Sequence, residues 1–180
     1  GNMSAIRENT VYLLKKNVTG AENGECRFRF VREGENLRFF FDVDDDEIVS
    51  PFAADNENIY EGDAVEVFLS PDGDLTFYKE LEVSPYGVRF YGNIRSDGVK
   101  NGALEKIPPA FRAKTALREG GWRAEIELPL SALPGFDPDK ARMNAFRLDK
   151  RADGDQRLYA LNPTLCGSFH RPAFFLGISR

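Results

Sequence analysis

The chain has two cysteines, Cys26 and Cys166, one histidine and two methionines in 180 residues. It contains no CxxC pair, so a zinc site is not expected; two free thiols or one disulfide both remain open. No apolar run approaches the ~18 residues of a membrane span. The net charge is −5, with no basic stripe interleaved with aromatics, which argues against nucleic acid and anionic membrane as partners. A Gly-rich phosphate loop, GxSxG and HExxH are all missing, as are internal repeats and long amphipathic helical periods. No secretory leader opens the sequence. Gly1 reads as a tag remnant and residues 1–9 as a flexible lead-in; a start at Met3 would imply the cytoplasm.

What the chain does have is aromatic and β-branched alternation. Fifteen Phe and 6 Tyr accompany a single Trp, a composition that favours strands and large sandwich cores. A chain of this length is one domain, residues 1–180, and buries roughly 70% of its unfolded surface. Period-2 runs bounded by Gly, Pro, Asn and Asp fall at residues 10–14, 26–32, 37–43, 64–69, 76–83, 88–91, 111–117, 122–128, 143–149, 157–161 and 173–178. A short helical turn is expected near residues 51–54 and another at 129–133. About eleven short strands and no long helix predict an all-β fold: an antiparallel β-sandwich of two sheets, jelly-roll or immunoglobulin-like.

The stretch from Asn58 to Tyr91 carries the most information. Two alternating runs flank Ser70-Pro71-Asp72-Gly73-Asp74, a turn in which Pro71 presets φ and Gly73 accepts φ > 0, so they form a hairpin. Pleating puts Val65, Val67 and Leu69 on one face and Ala64, Glu66 and Phe68 on the other. Across the turn, Leu81 and Val83 oppose Glu80, Glu82 and Ser84. Glu66 and Glu80 or Glu82 therefore share a face, with Tyr60 at its mouth. Three readings are open: ionised carboxylates that accept sugar hydroxyls, a glycosidase acid and nucleophile, or an ordinary solvated sheet face. Elsewhere, Asp42, Asp44, Asp45 and Asp46 form an oxygen cluster suited to calcium, without the spacing of an EF-hand. His170 and Met143 could together ligate haem.

These segments resemble the carbohydrate-binding family 9-like domains, relatives of the DOMON-like β-sandwiches, from about residue 37 to the C-terminus. The resemblance rests on Phe39-Phe40-Phe41-Asp42-Val43-Asp44-Asp45; on Tyr60-Glu61-Gly62-Asp63-Ala64-Val65-Glu66-Val67; and on Tyr78-Lys79-Glu80-Leu81-Glu82-Val83-Ser84-Pro85-Tyr86-Gly87. It is extended by the strand from Trp122 to Pro129, by Asn144-Ala145-Phe146-Arg147, by Leu161-Asn162-Pro163-Thr164 and by Phe169-His170-Arg171-Pro172. It implies a non-catalytic domain that holds a mono- or oligosaccharide between aromatic rings. Tyr60 would be the stacking ring and Glu66 the hydroxyl acceptor. Glu82, Ser84, Asn144, Arg147, Asn162, Phe169 and His170 would be further binders. The sequence departs from the family in having Tyr rather than Trp at the first platform, Leu161 where Trp is frequent, and Glu82 where a basic residue stands in one branch. The resemblance also implies calcium, here at Asp44 and Asp46, a monomer, and an extracellular setting. The alternatives to sugar binding are a glycoside hydrolase or its accessory domain using Glu66 and Glu82, and a DOMON-type haem carrier.

Overall fold

The computed structural model describes residues 3–179. Among the described residues, fourteen strands build two sheets. They are β1 (Ala5–Arg7), β2 (Tyr12–Leu13), β3 (Lys15–Lys16), β4 (Cys26–Glu33), β5 (Asn36–Asp44), β6 (Ala64–Ser70), β7 (Phe77–Val83), β8 (Arg89–Ser96), β9 (Gly102–Lys106), β10 (Arg112–Arg118), β11 (Gly121–Pro129), β12 (Arg142–Lys150), β13 (Gln156–Ala160) and β14 (Leu176–Ser179). The larger, nine-stranded sheet runs β1-β14-β12-β6-β7-β8-β9, with β13 beside β12 and β3 beside β13. The smaller, five-stranded sheet runs β10-β11-β5-β4-β2. Every pairing is antiparallel except β1 with β14.

The expected two-sheet all-β architecture is what forms, and each of the eleven expected runs contains a strand. The three additions are β1, β3 and β9. The N-terminal expectation needs correction. Residues 1–2 lie outside the described residues, but Ala5–Arg7 is a strand rather than a loose lead-in, and Ile6 is fully buried in the core. No helical turn forms at residues 51–54; the one before β6 is a 3-10 turn at Ile59–Glu61. The turn expected at 129–133 is a 3-10 turn at Leu130–Ala132.

Pleating decides what each sheet buries. Phe28 and Phe30 of β4, Phe39 and Phe41 of β5, and Trp122 and Ile126 of β11 face Val65, Val67 and Leu69 of β6 and Leu81 and Val83 of β7. Burying side chains of that size contributes roughly 1.5–3 kcal/mol each before entropy is counted. The β6–β7 hairpin has the register expected from its turn, with Val65 opposite Val83 and Glu66 opposite Glu82. Gly73 in that turn sits at φ +80°, and a Cβ there would stand 2.4 Å from the Lys140 carbonyl oxygen. The turn therefore needs glycine for its conformation and for the approach of a second chain segment.

The central strands of the larger sheet are buried on both faces. Each of the seven residues of β6 is buried. Its outer face lies beneath a further layer contributed by the loop before β14. There a second apolar cluster joins Phe68, Tyr78, Ile94, Phe146, Phe169 and Phe175. The site lies where that outer layer is incomplete.

Candidate functional site in the outer pocket

Glu66 of β6 and Glu80 and Glu82 of β7 project from the outer face of the larger sheet, as the alternation requires. One carboxylate oxygen from each lies within 4.8 Å of the others. All three side chains are buried, Glu82 completely. Neither Glu82 oxygen is open to solvent or has a hydrogen-bond donor. Burial, reinforced by the neighbouring Glu66 and Glu80 charges, pushes the Glu82 carboxyl well above the usual carboxylate range. Glu66 is raised well above it too, by burial first and Glu80 second, and Glu80 is raised by burial. Three ionised carboxylates this close repel strongly in a desolvated site, so without a cation they share protons.

Above these groups opens a pocket of about 510 Å³. Tyr60, carried by the 3-10 turn, is 38% exposed and meets Phe90 edge to face at 5.8 Å. Its position is held from below: the Gln156 side chain donates to the Tyr60 and Gly62 carbonyls at 2.8 and 3.2 Å. Asp63 accepts from the Val49 and Lys150 amides at 2.6 and 2.7 Å and so ties the start of β6 to its surroundings. On the opposite wall Phe169 stacks on Phe146 at 4.1 Å, and His170 stacks on Phe68 at 4.7 Å. The His170 Nδ1 stands 2.8 Å from the Tyr78 hydroxyl, and its Nε2 stands 3.5 Å from Glu80 Oε1. Burial lowers the His170 pKa to about 4, so the ring is neutral. A tautomer with Nε2–H toward Glu80 leaves Nδ1 to accept from Tyr78. Leu104 and Lys100 line the remaining side.

Five of the nine expected ligand residues meet in this pocket: Tyr60, Glu66, Glu82, Phe169 and His170. The other four lie elsewhere. Ser84 is buried in the β7–β8 turn, where its hydroxyl accepts from the Tyr86 and Val88 amides at 3.2 and 3.1 Å. Asn144 and Asn162 support the loop that carries the wall. The Asn144 amide donates to the Asn162 carbonyl at 2.9 Å, and the Asn162 amide donates to the Phe174 carbonyl at 2.8 Å. Asn17, which gave no sequence signal, completes that support by donating to Thr164 Oγ1 and the Cys166 carbonyl, each at 2.9 Å.

Arg147 is a correction. It shares its strand face with Met143 and Ala145, whereas Phe146 lies opposite Glu66, so Arg147 points away from the pocket. It is 1% exposed and stands 3.8 Å from Asp45, 3.6 Å from Asp149 and 3.6 Å from Glu25. The haem pair is likewise not assembled. Met143 belongs to the core between the sheets, while His170 stacks on Phe68 on the outer face.

Calcium at Asp44 and Asp46 does not fit the residues present. Asp44 is bound by Arg27 and Arg118 at 2.8 and 2.5 Å, and the hydrogen bond from Arg27 holds its carboxyl down at about 2. Asp46 pairs with Arg151 at 2.9 Å. The acidic side chains that converge at that end of the sandwich are Asp45, Asp63 and Asp149, with Arg147 among them. Cys26 and Cys166 are both free thiols.

Residues that sequence reasoning left out of the site are Gln156, Lys100 and Leu104. Glu80 was on the expected face and joins the carboxylate group itself. Only Glu80 had a signal, its period-2 spacing from Glu82.

A two-sheet sandwich with a ligand-sized pocket on the outer face of its larger sheet has the build of a β-sandwich binding module. The sequence matches the family model described as "Carbohydrate family 9 binding domain-like" over residues 3–161, and the chain belongs to that family. No curated protein matches it. Among solved structures, a Bacteroides uniformis protein described as a candidate carbohydrate-binding protein is similar, at 18% identity and a TM-score of 0.76, covering 93% of this chain and 85% of that one. A family 9 carbohydrate-binding module from Caldicellulosiruptor kristjanssonii, in complex with glucose, is 16% identical with a TM-score of 0.59, covering 93% and 84%. A module from the same organism in complex with cellotriose is 16% identical with a TM-score of 0.61, covering 99% and 93%. At these identities the likeness extends to the fold.

Proposed function

We propose that the chain binds a mono- or oligosaccharide, without catalysis, in the pocket between Tyr60 and the Phe169–His170 wall. Membership of a carbohydrate-binding family supports the class of ligand. The observation that carries the location is the half-exposed Tyr60 ring standing over a floor of hydrogen-bond acceptors. A sugar has an apolar C–H face and a polar rim, and this pocket offers a ring for the first and Glu66 and Gln156 for the second. Glu82 acts from behind Glu66, since its oxygens are closed to anything the size of a hydroxyl. Glucose and short β-glucans are the first ligands to try, because related sandwiches hold glucose and cellotriose.

A glycosidase reading is weaker on geometry. Hydrolysis needs two carboxyl groups on either side of the bond being cleaved, one ionised and both reaching the substrate. Here Glu82 cannot touch a substrate, and the carboxyls are raised together rather than split into an acid and a base.

Calorimetric titration with glucose and cellotriose tests the proposal. Tyr60→Ala is expected to weaken binding about fivefold, the equivalent of roughly 1 kcal/mol for one aromatic platform. Binding unchanged in Tyr60→Ala and in Glu66→Gln alike would place the ligand elsewhere.

A further inference from the structure

The floor of the pocket poses a charge problem that the sugar does not solve. Glu66, Glu80 and Glu82 converge, yet among the described residues no lysine or arginine forms an ion pair with any of them. Lys106, on β9 two strands away from β7, hydrogen-bonds to the Asn56 carbonyl and the Asn58 side chain at 2.9 and 2.7 Å and makes no ion pair with Glu80, though its charge is felt there. The contrast with the second acidic group is direct. Asp45, Asp63 and Asp149 are just as close together, but Arg147 lies among them, and backbone amides bind both Asp63 oxygens. That group carries its own counter-charge within contact distance. Among the described residues, the glutamates have only the more distant Lys106, acting on Glu80.

Size decides which cation can answer them. Both Glu82 oxygens are buried and inaccessible to a water-sized group, and without a cation only protons shared with Glu66 and Glu80 satisfy them. A sugar hydroxyl or an ammonium needs a heavy atom about 2.7–3.2 Å away with room around it. A calcium-class ion binds oxygen at about 2.3–2.6 Å, so oxygens on opposite sides of it stand about 4.6–5.2 Å apart. A set of oxygens no wider than 4.8 Å fits that span. The donors are all carboxylate oxygens, which suits a hard cation.

We propose that Glu66, Glu80 and Glu82 bind one divalent, oxygen-preferring cation of the calcium class at the floor of the pocket. Its open side faces the cavity, where hydroxyl groups of the bound sugar complete its shell; this last part rests on the function proposed above. The ion replaces shared protons as what holds the carboxylates together, and it turns a repulsive floor into one that pulls in hydroxyl oxygens.

The test uses the whole chain, stripped with EDTA and dialysed. Calcium chloride is titrated by calorimetry, and thermal unfolding is followed with and without the ion. One site per chain and a raised melting temperature are expected, with affinity at least about tenfold lower in Glu82→Gln and in Glu80→Gln. Both variants keep side-chain volume, and far-UV circular dichroism checks that each folds. No calcium binding, or equal binding in both folded variants, overturns the proposal. Equal binding in those variants that is lost in Asp149→Asn would assign the ion to the other acidic group and overturn it too. Cellotriose titrated into the calcium-loaded and EDTA-treated proteins separates the two ideas. Calcium binding with no sugar binding in either form leaves the cation standing and sinks the sugar site. Sugar binding that is equal in both forms refutes the shared shell.

Discussion

Arg147 lies at the point where the family resemblance and the pleat disagree, and replacing it with methionine separates the two. Methionine keeps most of the stem that packs beside the Tyr159 ring and removes the charge. Arg147 faces Asp149 at 3.6 Å and Asp45 at 3.8 Å, and both carboxylates are closed off by protein. At an effective dielectric of 20, each pair at that range is worth about 4 kcal/mol of gross Coulomb attraction. Much of this is offset by the cost of burying the guanidinium, whose Nε and one Nη have no hydrogen-bond partner. Removing one side of such a network typically costs about 3–5 kcal/mol, because the acids are left without a counter-charge. Trp122, the only tryptophan and fully buried, reports unfolding by fluorescence in urea. The loss should be greatest near pH 8. It should shrink in acid, because burial already raises the Asp149 pKa and a protonated carboxyl no longer needs Arg147. Cellotriose binding should survive in the folded variant. A loss under about 1 kcal/mol, or one independent of pH, would refute the network. A stable variant that had lost its sugar would return Arg147 to the ligand site.

Two further outcomes are expected. Ile6→Ala should lower stability by about 2–4 kcal/mol, because Ile6 is fully buried on β1; a change near zero in the urea midpoint would mean the N-terminal strand contributes nothing. Asp63 should titrate near pH 7, raised chiefly by burial and then by Asp45. For an acid whose folded value exceeds its unfolded one, the folded state holds the proton more tightly. The stability this group supports is therefore complete below about pH 4 and lost as pH rises through 7. Carboxyl-carbon NMR gives the midpoint directly, and a value below 5 would contradict the burial argument.

How much of this was legible depends on whether a residue's neighbours are near in sequence. The β6–β7 hairpin was readable because its turn chemistry and its alternation lie within one short stretch, and the register followed. β9 was not readable: each of its five residues is exposed, so it has no apolar period. β1 offers one buried residue, and its parallel partner β14 comes from the far end of the chain. The Arg147 error, by contrast, was avoidable from sequence. Asn144 and Arg147 are an odd number of residues apart on one strand, so a two-residue pleat cannot present both to the same ligand.

Depth is a different matter. Alternation assigns a face, and it correctly put Glu66, Glu80 and Glu82 together, but it cannot say what covers that face. The cover comes from the loop bearing Phe169 and His170, whose arrival depends on Asn17, Asn144 and Asn162 holding a remote stretch in place. Had that face stayed open, the glutamates would be a solvated acidic stripe of no consequence. Once covered, they become closely packed carboxyls raised above their usual range beside a ligand-sized space, and the chemistry of the site follows from that closure more than from the acidity of the sequence.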